Sequence, residues 1–314
     1  MSDNECRMMG ADDDDAVTRT VEVLGNDGIV ALPTETVYGL GGSIASNRAI
    51  DRIYAVKGRP RSHPLILHIA DVSELHGYVG ELSGDALTCA NACWPGPFTM
   101  LVRRNDHVPD HVVGDSEHVA LRIPANHFTR EVIRGLGSPV AAPSANLFGR
   151  VSPTTARHVC RDLGTEVDLI VDGGPCSIGV ESTIIDFTGD RARLVRPGGL
   201  PVEDIGRVLG YEIESSPGLV KAPGTLPVHY QPQARVIVAE NDGDADRVVE
   251  EHRRAGRHVV RLVHADSAPL LASTLYAQLR QADDAGADLI VAELPSTAGL
   301  GLAIRDRLMR AAAH

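Results

Sequence analysis

Thirty residues of the chain are basic, and only two of them, Lys57 and Lys221, are lysines. Lys57 stands in Y-A-V-K-G-R-P-R (54–61), with Arg59 and Arg61 just behind it. A compact ammonium beside planar guanidinium forks suits phosphate, because lysine acts as a point charge while arginine makes bidentate contacts. Between Arg48 and Arg61 five basic residues stand against the single Asp51, in a chain whose net charge is −12. The plainer alternative for the same cluster is a solvated helix end.

Four further clusters place small residues and hydroxyls at strand ends. P-T-E-T-V-Y-G-L-G-G (33–42) leaves its strand through a proline and enters a glycine-rich turn, where backbone N–H groups can approach an anion. A-A-P-S-A-N (141–146) ends another strand in the same way, and S-P-T (152–154) begins a helix whose free N–H groups favour a phosphate. G-V-E-S-T (179–183) opens the strand that leads to Arg196 in R-P-G-G. Each also has a plain structural reading: a turn at Thr34 to Thr36, a helix cap at Ser144 or Asn146, and an N-cap at Ser152 before Pro153. No Ser/His/Asp signature, H-E-x-x-H or G-x-x-x-x-G-K-[ST] loop competes with them, and the histidines lack ligand spacing.

The elements that must position these clusters alternate along the chain. Residues 1–15 read as a disordered acidic tail, and residues 16–210 as an α/β domain with a largely buried sheet. Strands are expected at 28–33, 65–70, 98–102, 119–123, 139–142, 168–172, 182–187 and 192–196. Helices are expected near 47–57, 71–79, 83–93, 127–136, 153–163 and 202–209. Prolines and glycines break the pattern over 211–233, which reads as a linker or a lid. Residues 234–314 then give three strands and three helices, a small Rossmann-like βαβ domain. Its G-L-G-L-A run (299–303) lacks the full dinucleotide fingerprint.

Bulk properties narrow the class. No apolar run approaches a membrane span, and the N-terminus has no export signal, so the reading is a cytoplasmic protein with no membrane partner. Five cysteines without a C-x-x-C pair read as free thiols in a reducing compartment. The acidic balance disfavours broad nucleic-acid binding and leaves room for a small basic pocket.

Across these clusters the chain resembles the threonylcarbamoyl-AMP synthases of the YrdC/Sua class, in their longer two-domain form. The resemblance rests on G-I-V-A-L-P-T-E-T-V-Y-G-L, K-G-R-P-R-S-H-P-L-I-L-H-I, W-P-G-P-F-T, V-A-L-R-I-P, P-V-A-A-P-S-A-N, S-P-T, G-V-E-S-T-I-I-D and R-P-G. It continues through A-P-G…H-Y-x-P and G-L-G-L-A-I-x-x-R-L-x-R-A-A, from about residue 16 to the end. It implies a YrdC-like twisted mixed-sheet domain with a concave basic site, followed by the small βαβ domain. It also implies condensation of L-threonine, bicarbonate or CO2, and ATP to threonylcarbamoyl-AMP and pyrophosphate, with Mg2+ arriving on the nucleotide. Downstream transferase proteins would use the product to modify tRNA, with a weak tRNA contact possible here.

Residue by residue, the resemblance implies catalytic roles for Lys57 and Arg59. ATP contacts are implied at Lys57, Arg61, His118, Ser144, Asn146, Ser152, Arg196 and Tyr230. Threonine contacts are implied at Thr34, Ile66, His68, Arg122, Ala142 and Ser182, and no residue is assigned to a metal. His118 stands where the family usually has a small hydroxyl residue, and Pro227 replaces an aromatic of the family's G-M-x-Y-x-H-Y linker, leaving Tyr230 or His229 as substitutes. Two other readings stand beside this one: a non-catalytic RNA-binding or ribosome-associated factor, and an enzyme forming a carbamoyl adenylate.

Overall fold

A computed structural model describes residues 6–114, 116–215, 230–263, 265 and 267–313. The acidic and linker segments therefore fall partly outside it, including Pro227, His229 and Lys221. Within the first domain the strands are β1 (Met8–Gly10), β2 (Val30–Leu32), β3 (Gly39–Ser43), β4 (Ile66–His68), β5 (Phe98–Arg103) and β6 (His118–Arg122). They continue with β7 (Val140–Ala141), β8 (Leu169–Asp172), β9 (Thr183–Asp186), β10 (Arg193–Arg196) and β11 (Glu214–Ser215). All lie in one twisted mixed sheet, in the order β1-β8-β2-β3-β7-β4-β6-β5-β9-β10-β11.

Helices α1 (Ala16–Gly25), α2 (Asn47–Lys57), α3 (Gly84–Cys93), α4 (Asp110–Val113), α5 (His127–Leu136), α6 (Ala156–Leu163) and α7 (Val202–Leu209) cover this sheet. Helix α2 shows how local chemistry sets their limits. The Ser46 side chain accepts from the Ala49 amide at its start, and Gly58 closes it in the left-handed region at φ 61°. Its buried stripe is Ala49, Ile50, Ile53, Tyr54 and Lys57, so the lysine lies on the apolar face. It is not a solvated helix end.

The second sheet is parallel and three-stranded, β12 (Arg235–Ala239), β14 (Leu289–Glu293) and β13 (Val259–Arg261) in spatial order. Helices α8 (Asp242–Arg254), α9 (Ala268–Asp284) and α10 (Leu300–Ala312) alternate with its strands, as a βαβ unit requires. The apolar layer under α9 and α10 takes in Val37, Val151 and Val180 of the first domain. Arg280 on α9 also reaches Asp162 on α6 through two hydrogen bonds, and donates to the carbonyls of Val151 and Ser152. The two domains thus share a core and a partly buried ion pair. In the G-L-G-L-A run, a side chain at Gly301 would collide with the Ser296 carbonyl, so this glycine serves packing.

Four details differ from the sequence expectation. Within the expected tail, Met8–Gly10 pairs parallel with β8 and extends the sheet edge. That pairing brings Cys6 beside α6, where it forms a disulfide with Cys160 at a Cα–Cα distance of 5.9 Å, while Cys89, Cys93 and Cys176 are free. A contact across 154 residues leaves no trace in cysteine spacing. The glycine-rich stretch after Tyr38 is the antiparallel strand β3 instead of a turn. Finally, α6 begins at Ala156 with Thr155 as its cap, which frees the Ser152 hydroxyl for another partner. Among the described residues no helix is long and apolar enough to cross a membrane.

Candidate functional site

The turn between β2 and β3 is tied to itself by hydroxyls. Thr34 Oγ1 donates to the Val37 carbonyl (2.7 Å), accepts from the Thr36 amide (3.1 Å) and lies 2.9 Å from Thr36 Oγ1. Arg122, at the end of β6, locks this turn from the neighbouring strands. Its Nη1 donates to Thr36 Oγ1 (2.8 Å), Nη2 to Glu35 Oε1 (2.6 Å) and Nε to the Gly96 carbonyl (3.2 Å). Burial of the guanidinium is tolerated because each donating edge has an acceptor.

Opposite the turn, residues 181–183 enter β9. Ser182 Oγ shares a hydrogen with Thr99 Oγ1 (2.7 Å), and Arg196 reaches back from β10 to Ser182, with Nη2 bonded to its carbonyl (2.8 Å) and hydroxyl (3.1 Å). The R-P-G-G sequence permits this approach, since a side chain at Gly198 would overlap the backbone of Glu181 and Ser182. Beside them, Glu181 accepts from Ser152 Oγ at Oε1 (2.6 Å), and at Oε2 from the Tyr276 hydroxyl and Arg307 Nε (both 2.8 Å).

These groups surround one cleft that opens to solvent. Thr34, Ile66, His68, Arg122, Ala142 and Ser182 all line it, as do Arg59, Ser144, Arg196 and Tyr230. Lys57, Asn146 and Ser152 lie immediately behind the wall. The Lys57 ammonium donates to the carbonyls of Ser144 (2.5 Å) and Asn146 (2.6 Å), and Arg59 donates to those of His63 (3.1 Å) and Pro64 (2.9 Å). Arg61 lies apart, with its side chain 60% exposed and paired with Asp51 at 2.8 Å. His118 sits at the far end of β6, about 13 Å along the strand from Arg122, opposite Arg103.

The residues the sequence reading left without a role are Glu181, Thr36, Tyr276 and Arg307. Glu181 was in plain view within G-V-E-S-T. Arg307 carried a signal too: it shares a helical face with Ala303, Ile304, Leu308 and Ala311, and a charge inside an apolar stripe must have a buried partner. Tyr230 is set in the left-handed region at φ 62°, a strained backbone that surrounding contacts must hold. Its ring stacks on Tyr276 with centroids 5.8 Å apart.

Three guanidiniums and one carboxylate line the cleft, so its surface favours anions. Burial, partly offset by Tyr54 and Tyr230, lowers Arg59 to about 10, which leaves it charged at neutral pH. Although burial pushes Glu181 up, Arg307 and Arg196 beside it hold its carboxyl at about 2. Burial, reinforced by Arg122, lowers His68 to about 3 from its ordinary 6.5, and its Nδ1 has no partner among the described residues. Such a cleft favours anionic groups and stabilises charge without a nucleophile.

The His68 shift makes stability depend on pH. The unfolded chain takes up a proton near 6.5 that the fold refuses until about 3, so this contribution is full above 6.5 and is lost on acidification. Urea unfolding at about pH 5 and about pH 7 is expected to show a steeper loss for the wild type than for His68→Asn, by up to about 1.4 kcal/mol per pH unit. Parallel losses would place the titration elsewhere.

Comparison with known proteins adds to this geometry. Residues 22–198 match the Sua5/YciO/YrdC family model, described as "Telomere recombination", and residues 200–313 match one described as "Threonylcarbamoyl-AMP synthase, C-terminal domain". A threonylcarbamoyl-AMP synthase of Pyrococcus abyssi is 38% identical over 309 residues, 91% of each chain. That of Bacillus subtilis is 38% identical over 326 residues, 95% of this chain and 93% of the other. The crystal structure of P. abyssi Sua5 complexed with L-threonine superposes with a TM-score of 0.91 at 37% identity, over 95% of this chain and 94% of that one.

Proposed function

The chain belongs to the threonylcarbamoyl-AMP synthase family, and we propose that its cleft condenses L-threonine, bicarbonate or CO2, and ATP into L-threonylcarbamoyl-AMP and pyrophosphate. Membership makes it an enzyme of the nucleotidyltransferase kind. The observation that best supports the full reaction is that every residue of the threonine set lines one cleft together with Arg59, Ser144 and Arg196.

The threonine amine adds CO2 to give a carbamate, releasing a proton to solvent. A carbamate oxygen then attacks the α-phosphorus, and the bond to the β-phosphate oxygen breaks as pyrophosphate leaves with its electron pair. No covalent enzyme intermediate is needed, so rate comes from alignment and charge stabilisation. In this reading Arg122, Thr34 and Ser182 orient threonine, while Arg59, Ser144, Arg196 and Tyr230 face the nucleotide, with Ser152 supporting them from behind the wall. Mg2+ would come with the triphosphate and be held by phosphate oxygens and water. The mixed-anhydride product would pass to a transferase that modifies adenosine in tRNA.

Pyrophosphate release by the purified chain, followed with ATP and bicarbonate present, is expected to require L-threonine. L-Serine should be poorer by about 1–3 kcal/mol if the cleft packs the threonine methyl. Equal release without any amino acid would overturn the assignment.

A further inference from the structure

Two helices of the C-terminal domain reach the wall of the cleft. Arg307 on α10 is fully buried; its Nε donates to Glu181, its Nη2 donates to the Pro197 carbonyl (3.0 Å), and its guanidinium carbon lies 4.9 Å from the Tyr230 ring centroid. Tyr276 on α9 donates to the same Glu181 oxygen and stacks on the same tyrosine. Glu181 and Tyr230 line the cleft, Pro197 follows Arg196, and the second Glu181 oxygen holds Ser152.

We propose that Arg307 and Tyr276 are positioning residues for the nucleotide: by fixing Glu181, and through it Ser152, and by Arg307 holding the Pro197 carbonyl directly, the C-terminal domain completes the triphosphate half of the cleft. The proposal rests on the reading above that Arg196 and Tyr230 face ATP, with Ser152 behind them.

The physical need is clear from charge. A carboxylate on the wall of a pocket for triphosphate repels its ligand unless a cation neutralises it from behind. Arg307 occupies that position, so Arg196 keeps its positive charge directed at the cleft. A pair acting only as glue would be replaceable by packed apolar groups, and the rest of this α10 face is already apolar and buried. What the apolar alternative lacks is the link to Ser152, Pro197 and Tyr230.

The test is steady-state pyrophosphate release by the full chain, varying ATP at saturating threonine and then the reverse. Arg307→Met is expected to raise KM for ATP about tenfold or more, with KM for threonine within about twofold. The double variant Glu181→Gln/Arg307→Met should recover about half of that loss on a logarithmic scale, because the unpaired carboxylate is gone while the links to Pro197 and Tyr230 stay broken. Tyr276→Phe removes one hydroxyl and guards against misfolding of the larger changes; it should raise KM for ATP about threefold, with an unchanged circular-dichroism spectrum. Folded variants with wild-type KM for ATP would overturn the proposal. So would a double variant no better than Arg307→Met, with both substrates affected alike, since that marks a purely structural pair. Wild-type protein that releases no pyrophosphate in response to threonine would instead sink the functional reading, and the proposal with it.

Discussion

Arg196→Ala is expected to lower kcat/KM for ATP by about 100- to 1,000-fold, the range seen when one preorganised donor to a developing negative charge is removed. Two effects combine. The guanidinium lines the cleft beside Ser144 and Arg59, and its loss removes a third of the positive charge on that wall. It also holds the Ser182 carbonyl and hydroxyl, so the serine loses its orientation against Thr99. Because the proposed reading assigns Ser182 to threonine, the variant should bind threonine more weakly even without ATP, which isothermal calorimetry can measure. Arg196→Lys should recover little, since a single ammonium cannot hold both Ser182 atoms and still present a planar fork to phosphate. A kcat/KM within about threefold of wild type would remove Arg196 from the chemistry.

How much of this was legible in the sequence depends on the range of each interaction. Helix α2 was readable residue for residue, because Ser46, the apolar stripe and Gly58 are all local signals. β3 was not, because its sequence G-L-G-G-S carries almost no β-propensity; its pairing with β2 and β7 is imposed by the sheet. At the site, the strand-end clusters located the cleft, since hydroxyls and glycines at strand ends are where backbone approaches a ligand. The direction of a side chain was less readable. Arg61 and Arg59 are two residues apart and look alike in sequence, yet one pairs with Asp51 in solvent and the other turns under Phe148, 5.6 Å from its ring. Contacts such as Glu181 with Arg307, or Cys6 with Cys160, join distant segments and become visible only when the sheet brings them together.

Lys57→Ala is the second large effect, and here the sequence and the structure give different mechanisms for the same loss. By composition the ammonium is a charge for the triphosphate. In the fold it is wholly buried, with burial and Arg59 pushing it well below its ordinary value and Asp162 opposing them, and it donates to two carbonyls of the 144–146 loop. The Phe148 amide in turn donates to the Lys57 carbonyl, so the loop is fastened to the end of α2 on both sides. Alanine would leave two buried carbonyls without a donor, at about 1–3 kcal/mol each. The expected result is therefore double: a stability loss of about 2–4 kcal/mol in urea unfolding, and at least about a 100-fold fall in kcat/KM as Ser144 leaves the cleft wall. Lys57→Arg should behave nearly as badly, because a guanidinium has no room where the slimmer ammonium is fully enclosed. Full stability with lost activity would mean that the ammonium leaves these carbonyls for the triphosphate when ATP binds. Lost stability with full activity would confine Lys57 to the scaffold, and would leave Arg59 and Arg196 as the cations that act on the phosphates.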